Sequence, residues 1–415
     1  MSGSDVISIP NAIGPARWRD VRRVLAIRLD NLGDVVMTTP ALAALKHSRE
    51  GMHVTLLASR SGAAAAPHVG VVDDVIVYDA PWSKGGADPR EVRDDLALMS
   101  RLRHGHFDAA VIFTVCTQSA LPAALLCRLA GIPLRLAHCR ENPYDLLTDW
   151  VPDPDVVADG MRHEVARHLA LVRSVGFDVD DERLRFNLNP RDERSVRGKL
   201  AEAGVSPGER YFIVHAGASA ASRRYPAARF GQAAQRIAQA SGCRAVFTGG
   251  VDEQPLFDEA VAEMEGVAPV SLMGQLSLGE LAALIHWARL LVSNNSGPVH
   301  MAAALGTPIV DLYALTNPQH TPWQVAARVL SHDVPCRNCL KSVCPHAHND
   351  CLRGIEPQQV VDASLELMRS NEAGLAASIR AQSRVGPDVV PRVVPRVVPR
   401  VVPVSPATGL AGTSR

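Results

Sequence analysis

The 415-residue sequence lacks a net charge, a long apolar run and an N-terminal targeting signal. Its 43 Lys and Arg residues balance 43 Asp and Glu residues, which excludes the global basic field that drives non-specific nucleic-acid binding. No apolar run approaches the roughly 20 residues of a membrane span, and the N-terminus has no compact apolar segment typical of a signal peptide. These absences predict a cytoplasmic protein without a nucleic-acid partner, in which a local site must bind any anionic ligand.

Segments that favour strands alternate with segments that favour helices through most of the chain. Strands are predicted at residues 24–29, 53–58, 74–78, 107–113 and 134–137, and again at 211–215, 244–248, 290–293 and 308–312. Between the two sets, around residues 176–194, the apolar pattern lapses and charge rises. The pattern predicts an α/β protein with two doubly wound parallel sheets, which bind ligands at the carboxyl ends of their strands.

Four segments follow from this pattern. We expect an N-terminal extension at residues 1–20, a first domain at 21–185, a second domain at 186–370 and a tail at 371–415. The tail contains three tandem RVVP units after a DVVP. A proline at every fourth residue opposes both helix and central strand, so the tail is predicted to be disordered.

A strand-turn-helix junction at residues 24–45 places two carboxylates on either side of a glycine. The apolar run VLAIRL is followed by Asp30, Gly33 and Asp34, and a helical pattern resumes at once. Asp34 in that position is compatible with a simple helix cap. A carboxylate at the carboxyl edge of a sheet is also placed to take a proton from an incoming hydroxyl, and a cap needs no second acid such as Asp30.

Two loops of the second half combine small residues with groups suited to a nucleotide. After the strand ending at His215, a loop of Ala, Gly and Ser that includes Ser219 leads to Arg223, whose guanidinium suits a diphosphate. The alternative is a solvated loop with surface arginines. After the next strand, Asp252 and Glu253 open a helix, where one acid could cap the helix and the other bind a ribose hydroxyl.

A third loop has the sequence SNNSGPVH and contains Asn295, Ser296, Gly297 and His300. Proline opens the helix that follows, and the N-terminus of a helix attracts anions. Taken alone, His300 is more typical of a core histidine than of a ligand-binding one. The three loops all follow second-half strands, which favours a shared phosphate-binding role.

Four cysteines are clustered in the loop at residues 334–352: Cys336, Cys339, Cys344 and Cys351. Four thiols within sixteen residues of a cytoplasmic protein are compatible with a structural zinc, although the spacing is not that of a standard finger or ribbon. An iron-sulfur cluster is the second option, and reduced thiols in a loop are the third. With four protein ligands, a metal here would be structural because no coordination position stays open.

Four motifs together resemble glycosyltransferase family 9, the lipopolysaccharide heptosyltransferases and their relatives. They are RLDNLGDVVMTTPAL, HAGASAASRRYP, SNNSGPVHMAAALGTPIVDLY and DVPCRNCLKSVCPHAHNDCL, in this order between residues 24 and 368. The resemblance implies a GT-B fold, with two Rossmann-like parallel-sheet domains facing a cleft. It also implies an acceptor-binding first domain, a second domain that binds an ADP-heptose donor, and inversion at the anomeric carbon with no required cofactor.

The resemblance also implies roles for single residues. Asp34 matches the family's general base, and Arg223 matches a position, usually Lys, that contacts the donor phosphates. Ser296, Gly297 and His300 fall in the phosphate-side loop. Many members have Asp where this chain has Asn295, so the loop here carries one less negative charge.

The function expected from these features is transfer of a heptose or related sugar from a nucleotide-diphosphate donor to a lipid-linked or envelope saccharide. Asp34 would deprotonate the acceptor and Asp30 would orient it, with peripheral contact at the inner face of the cytoplasmic membrane. A GT-B epimerase and a non-catalytic nucleotide-sugar binding protein are the alternatives. A Rossmann dehydrogenase is disfavoured because no G-x-G-x-x-G motif follows the first strand.

Overall fold

The computed structural model describes residues 14–83, 92–158, 160–266, 268–382 and 400–401. These residues form two compact units. Unit 1 contains residues 14–156, 164–182 and 400–401, and unit 2 contains residues 157–163 and 183–382. Each unit has one parallel sheet with accompanying helices, so the predicted α/β class is confirmed.

Within the described residues of unit 1, seven strands pair in parallel in the order β13-β3-β2-β1-β4-β5-β6. The strands are β1 (Arg23–Arg28), β2 (His53–Ala58), β3 (Asp74–Val77), β4 (Ala109–Ile112), β5 (Leu134–Cys139), β6 (Asp149–Pro152) and β13 (Arg400–Val401). The helices are α1 (Pro15–Trp18), α2 (Leu32–His47), α3 (Arg60–Ala63), α4 (Ala66–Val69), α5 (Val92–His104), α6 (Leu121–Leu129) and α7 (Glu164–Arg173). The strand order reverses between β1 and β4, so the ends of these two strands form the switch point where ligands of such sheets bind.

Helix α2 is buried along most of its length. Its side chains from Val35 to Leu45 are all buried, and the helix packs against β1, β2 and α7. A helix that is apolar on every side belongs in the interior of a domain. The burial fixes the start of α2, and with it Asp34, directly after β1.

In the part of unit 2 that the structure describes, six strands pair in parallel in the order β12-β11-β10-β7-β8-β9. The strands are β7 (Tyr211–His215), β8 (Arg244–Phe247), β9 (Val270–Ser271), β10 (Leu291–Asn294), β11 (Ile309–Leu312) and β12 (Ala327–Leu330). The helices are α8 (Pro190–Glu202), α9 (Ala227–Ser241), α10 (Gln254–Val261), α11 (Leu278–Trp287), α12 (Gly297–Leu305), α13 (Asp350–Arg353) and α14 (Pro357–Gln382). The order reverses between β7 and β10, so the loops after these two strands meet at the switch point of unit 2.

Both ends of the chain differ from the expectation in their described parts. Trp18 of the predicted N-terminal extension is fully buried and meets the Phe177 ring edge-on at 6.2 Å, so this segment belongs to the core of unit 1. Helix α14 continues to Gln382, past the predicted start of the tail. Within the tail, Arg400–Val401 pair with β3 at the edge of the sheet, a position that tolerates neighbouring prolines. The remainder of the predicted disordered tail lies outside the described residues.

The apolar side chains are concentrated in a separate core for each unit. In unit 1, Leu25 and Ile27 of β1 pack with residues of β4 and α6. In unit 2, Phe212 and Val214 of β7 pack with α9 and the start of α14. No helix in the described ranges combines the length and the apolar character that crossing a bilayer requires.

Candidate active site

The last residue of β1, Arg28, is a fully buried cation surrounded by three carboxylates. Its guanidinium lies 3.3 Å from Asp30, 3.3 Å from Asp34 and 3.3 Å from Glu164. Burial disfavours the charged guanidinium, but the three carboxylates outweigh it and raise the pKa of Arg28. Arg28 therefore stays charged and fixes the two carboxylates predicted from the sequence.

Asp34 is both a helix-capping residue and a partly accessible carboxylate. One oxygen, Oδ2, accepts a hydrogen bond from the backbone N–H of Asn31 at 3.0 Å, and Oδ1 accepts one from Arg28 at 3.3 Å. The side chain is 16% exposed. The N-cap residue of α2 is Asn31, and Asp34 is the third residue of the helix, so the alternative of Asp34 as the N-cap is wrong. The contact of Asp34 with the Asn31 N–H leaves the carboxylate accessible to a hydroxyl group. The role of Asp34 as a base stays a prediction.

Asp30 lies beside Asp34 in a different electrostatic environment. Its Oδ1 accepts a hydrogen bond of 2.7 Å from Nε2 of Gln118, which follows β4. Burial raises the pKa of Asp30, Arg28 opposes the rise, and the charge of Asp34 adds to it. Asp30 therefore holds a proton to a higher pH than an ordinary aspartate, and its role beside Asp34 stays a prediction.

A buried histidine connects α7 to the first turn of α2. Nε2 of His168 lies 3.0 Å from Oε1 of Glu164, and Nδ1 lies 3.3 Å from the Thr38 hydroxyl. That hydroxyl donates to the carbonyl of Asp34 at 2.7 Å. Burial lowers the pKa of His168 to about 4, against the opposing effect of Glu164, so the imidazole is neutral at neutral pH.

The sequence analysis did not identify Arg28, Glu164 or His168 as residues of the site. Arg28 stands inside an apolar strand, and Glu164 and His168 are four residues apart on a helix more than a hundred residues later. An arginine within an apolar strand needs a buried counter-charge, and that requirement was the available signal.

In unit 2, the loop after β10 leads into the N-terminus of α12, as predicted. Ser296 is the residue before the helix, which begins at Gly297, and its hydroxyl donates to the carbonyl of Asn294 at 3.2 Å. His300 in the first turn is 4% exposed. Burial, with a further contribution from the nearby His320, lowers the pKa of His300 to about 3, so the ring is neutral at neutral pH. The core-histidine interpretation of His300 thus agrees with its burial.

Asn294, which the sequence did not single out, ties two loops together. Its Oδ1 accepts from the backbone N–H of Tyr225 at 2.9 Å, and its Nδ2 donates to the carbonyl of Ala216 at 2.7 Å. The side chain is fully buried. Asn294 therefore fixes the segment after β7, which contains Arg223, against the end of β10.

Asn295 turns its amide into the protein. Its Nδ2 donates to Oδ2 of Asp311 and to the carbonyl of His320, both at 2.9 Å. Asp311 is fully buried at the end of β11, and burial raises its pKa to about 8 against the effect of the Asn295 hydrogen bond. At neutral pH this carboxyl is protonated. The Asn295 amide nitrogen therefore supports the loop from inside the protein. The contact of Asn295 with the sugar donor stays a prediction.

Glu253 lies where the loops after β7 and β8 meet. Its Oε2 accepts from the backbone N–H of Gly250 at 2.9 Å. A Cβ atom on Gly217 would lie 2.1 Å from Oε1 of Glu253, so the carboxylate closely approaches the Gly217 backbone and any larger residue there would displace it. Asp252 is exposed, and its Oδ1 would lie 2.5 Å from a Cβ atom on Gly250. Of the two acids, Glu253 makes the predicted capping contact, and the binding of a ribose hydroxyl stays a prediction.

The other predicted residues of the loop after β7 differ in exposure. Nδ1 of His215 lies 3.0 Å from the Thr248 hydroxyl, and burial lowers the pKa of His215. Ser219 is exposed. Arg223 is partly buried in a short 3-10 turn and lowers the pKa of His300, which places its charge near the N-terminus of α12. The fold therefore brings Arg223, Ser296 and Glu253 to one edge of the sheet, and their ligands stay predictions.

Comparison with known proteins identifies the protein family to which the chain belongs. The sequence profile of Glycosyltransferase family 9 (heptosyltransferase) matches residues 96–349, more than half of the chain. This chain belongs to glycosyltransferase family 9. The predicted enzyme class, a glycosyltransferase, is therefore confirmed.

Relatives of this family 9 glycosyltransferase support the same fold over most of its length. Lipooligosaccharide heptosyltransferase 2 of Campylobacter jejuni is 22% identical over 347 residues, which cover 82% of this chain and 96% of the relative. A family 9 glycosyl transferase structure from Veillonella parvula has a TM-score of 0.69 at 23% identity and covers 84% and 98% of the two chains. The structure of an ADP-heptose lipopolysaccharide heptosyltransferase II from Escherichia coli has a TM-score of 0.64 at 21% identity and covers 84% and 99%. The predicted GT-B fold is confirmed.

The clustered cysteines of this family 9 chain are not arranged as a metal site. Sγ of Cys336 lies 3.7 Å from Nε2 of His348, and burial raises the pKa of the Cys351 thiol, as do the neighbouring thiols. In the part of the chain that the structure describes, no group of three or more His, Cys, Asp or Glu side chains is placed to hold a metal ion. The prediction of a structural zinc at Cys336, Cys339, Cys344 and Cys351 is not supported.

Proposed function

We propose that this family 9 glycosyltransferase transfers a heptose from ADP-heptose to the lipopolysaccharide core or another envelope glycan. Two observations on relatives support this choice of substrates. The Campylobacter relative is named a lipooligosaccharide heptosyltransferase, and the Escherichia coli neighbour is an ADP-heptose heptosyltransferase. The profile that matches residues 96–349 is also described as that of heptosyltransferases.

The observation that carries the proposal is the contact of Asp34 with buried Arg28 at the start of α2. Arg28 and the backbone N–H of Asn31 hold one carboxylate in a single orientation while part of it remains accessible. In the proposed reaction, Asp34 takes the proton of the acceptor hydroxyl, which attacks the anomeric carbon from the face opposite the diphosphate. The product would have the inverted anomeric configuration.

Unit 2 would bind the donor through charge and backbone groups. Arg223 and the N–H groups at the start of α12 would stabilise the departing diphosphate, and Glu253 would accept a hydrogen bond from a ribose hydroxyl. Arg223 and the N–H groups of α12 would supply the positive potential that a metal ion gives in other transferases, so the proposed mechanism requires no metal. Because the acceptor is anchored in a lipid, we place the reaction in the cytoplasm, at the inner face of the cytoplasmic membrane.

The direct test combines purified protein, ADP-heptose and lipopolysaccharide truncated in its inner core. Mass spectrometry should show the addition of one heptosyl residue, and the release of ADP should match it in amount. ADP-glucose and UDP-glucose serve as control donors. A change in the configuration of the donor sugar without an acceptor would instead indicate an epimerase. Binding without any turnover would indicate a nucleotide-sugar binding protein.

A further inference from the structure

The loop with the clustered cysteines, residues 334–352, supports the 3-10 turn that carries Arg223. The backbone N–H of Ser222 donates to the carbonyl of Ser342 at 3.1 Å, and the Ser222 hydroxyl donates to the carbonyl of Lys341 at 2.7 Å. Ser222 is almost fully buried. Because these hydrogen bonds join the turn to the loop directly, a shift of the loop would move Arg223.

We propose that Cys336 and Cys339 in this loop form a thiol–disulfide exchange site, and that their oxidation to a disulfide weakens the binding of the nucleotide-diphosphate donor. The oxidant is a small-molecule disulfide such as glutathione disulfide. The effect on the donor rests on the proposed function, in which Arg223 binds the diphosphate. The exchange reaction itself is independent of that function.

The cysteines of this loop are the accessible ones among the eight cysteines of the chain. The four in the loop are half-buried: Cys336, Cys339, Cys344 and Cys351. The other four are at most 5% exposed: Cys116, Cys127, Cys139 and Cys243. The reaction of a thiol with a reagent in solution depends on access to the sulfur. A small-molecule disulfide should therefore react with the loop before it reacts with the buried cysteines.

Cys336 and Cys339 have the spacing of a redox pair. Two residues separate them, and these residues, Arg337 and Asn338, lie in a turn. A C-x-x-C pair is the arrangement with which thiol–disulfide oxidoreductases form and break a disulfide. The other loop cysteines have no partner at this spacing.

His348 is placed to assist Cys336. Its Nδ1 accepts a hydrogen bond of 2.9 Å from the backbone N–H of Asp350, so the proton of the neutral ring is on Nε2. Nε2 lies 3.7 Å from Sγ of Cys336 and donates toward it. The thiolate is the form of cysteine that attacks a disulfide, and a hydrogen-bond donor at the sulfur stabilises negative charge there. Cys336 is therefore the attacking thiol of the pair.

The exchange consists of two successive displacements at sulfur. The Cys336 thiolate attacks one sulfur of glutathione disulfide, and one glutathione thiolate leaves. Cys339, as its thiolate, then attacks Sγ of Cys336, and the second glutathione thiolate leaves. Two protein thiols are thus oxidised to one disulfide, the reagent is reduced to two thiols, and the two glutathione thiolates take up the two protons.

The backbone of the loop would transmit this change to the Arg223 turn. Asn338, between the two cysteines, and Leu340, directly after them, have φ values of 62° and 56°, in the left-handed region. Residues other than glycine keep that conformation only where their surroundings hold it. A disulfide requires a specific geometry of both cysteine side chains, so its formation would alter these dihedral angles. The next two residues of the chain supply the carbonyls that bind the Arg223 turn.

The other two thiols of the loop differ from each other in reactivity. Backbone N–H groups, first that of Asn349, lower the pKa of the Cys344 thiol. Burial raises the pKa of the Cys351 thiol, as do the neighbouring thiols. Cys344 should therefore also react with glutathione disulfide, so the experiment includes a variant that removes it.

The first experiment detects the disulfide. Full-length reduced protein is incubated with glutathione disulfide, the remaining thiols are alkylated, and the peptides are mapped by mass spectrometry. We expect a Cys336–Cys339 disulfide that dithiothreitol reverses and that also forms in Cys344→Ser. His348→Gln should slow its formation about 10-fold. Absence of this disulfide, a different partner for Cys336, or a metal ion bound in stoichiometric amount by the reduced protein would overturn the proposal.

The second experiment measures the donor site. ADP affinity is determined by calorimetry on reduced and on oxidised protein, with Tm and circular dichroism on the same samples. Oxidation should raise the Kd for ADP about 10-fold, and dithiothreitol should restore it. The double variant Cys336→Ser/Cys339→Ser should bind ADP as the reduced wild type does and not respond to the oxidant. Cys243→Ser is the matched control, because this unit 2 cysteine is buried, and it should keep the response.

A separate variant tests the link between the loop and the Arg223 turn. Ser222→Ala removes the 2.7 Å hydrogen bond to the carbonyl of Lys341. Reduced Ser222→Ala protein should bind ADP about threefold to tenfold more weakly than the reduced wild type. Unchanged affinity would contradict the transmission from the loop to Arg223.

The outcomes separate this inference from the proposed function. Equal ADP affinity in the oxidised and reduced forms, with the disulfide present, would overturn the effect on the donor and leave the proposed function standing. Weaker binding that also occurs in the oxidant-treated double variant, or that accompanies unfolding, would overturn it as well. By contrast, reduced wild-type protein that binds neither ADP nor ADP-heptose would refute the proposed function, while the peptide map still decides the exchange site.

Discussion

Replacing Asp34 by Asn separates the two roles that its position allows. Asn has nearly the same shape, and its side-chain oxygen can still accept the hydrogen bond from the Asn31 backbone N–H that Oδ2 accepts at 3.0 Å. Asp34 is the third residue of α2, and the N-cap residue Asn31 is unchanged in the variant. The substitution therefore preserves the cap and removes the ability to take a proton.

The contacts of Arg28 give the expected size of the stability change. The cluster has one guanidinium and three carboxylates, and the variant retains Asp30 and Glu164 as partners of Arg28. Loss of one charged hydrogen bond costs about 1.5–3 kcal/mol, but removing one of three like charges relieves repulsion within the cluster. We expect the free energy of unfolding to change by only about 1 kcal/mol.

The effect on catalysis should be much larger. Without a general base, kcat should fall about 10²- to 10⁴-fold, equivalent to roughly 3–5 kcal/mol in the activation barrier. The assay measures ADP release with truncated lipopolysaccharide, ADP-heptose affinity by calorimetry and Tm on one preparation. Asp73→Asn is a matched control, because Asp73 is 15% exposed and accepts a hydrogen bond from Lys46 at 2.7 Å. That control should lose some stability and retain kcat.

One result would refute the reasoning. If the Asp34→Asn protein melts near the wild-type Tm, binds ADP-heptose normally and keeps kcat within about threefold, Asp34 is only a cap. The proton acceptor would then be sought at Asp30, whose raised pKa and contact with Gln118 make it the second carboxylate of the site.

Three further predictions concern buried and donor-side charges. Arg28→Met should lower the free energy of unfolding by about 3–5 kcal/mol in urea titrations, because it leaves buried carboxylates without a counter-charge, and Arg28→Lys should recover part of the loss. Arg223→Ala should weaken ADP binding by about 1.5–3 kcal/mol in calorimetry, and unchanged affinity would remove Arg223 from the phosphate site. Burial raises the pKa of Asp311 from 3.8 to about 8, so the folded state favours the protonated acid and wild-type stability should fall as pH rises from about 4 to 8. Asp311→Asn should flatten that fall, and parallel stability curves for the two proteins would contradict the assignment.

The pattern of apolar residues predicted the inner strands of both sheets but not the strands at their edges. All nine strands predicted from the sequence are present, from β1 to β11 apart from β6 and β9. The strands that were not predicted, β6, β9, β12 and β13, lie at the edges of the two sheets. Strand β9 has only two residues, and the side chains of β12 are mostly half-buried. Short edge strands form because a neighbouring strand offers free backbone groups, and little in their own side chains marks them.

The candidate site was predictable where its parts are local. A strand, a tight turn and a helix in succession placed Asp30 and Asp34 at the end of β1, and proline after glycine placed Ser296 before α12. The inward hydrogen bonds of Asn295 were not predictable in this way. They depend on Asp311, sixteen residues later on the next strand.

The sequence by itself determined the alternation of strands and helices and the order of the loops that carry polar residues. These properties depend on side chains a few positions apart, so they are written in local periodicity. Only the tertiary structure decided the electrostatic state of those residues. Glu164 comes 136 residues after Arg28 in the chain, yet lies 3.3 Å from it, and burial and such distant charges decide which groups stay ionised.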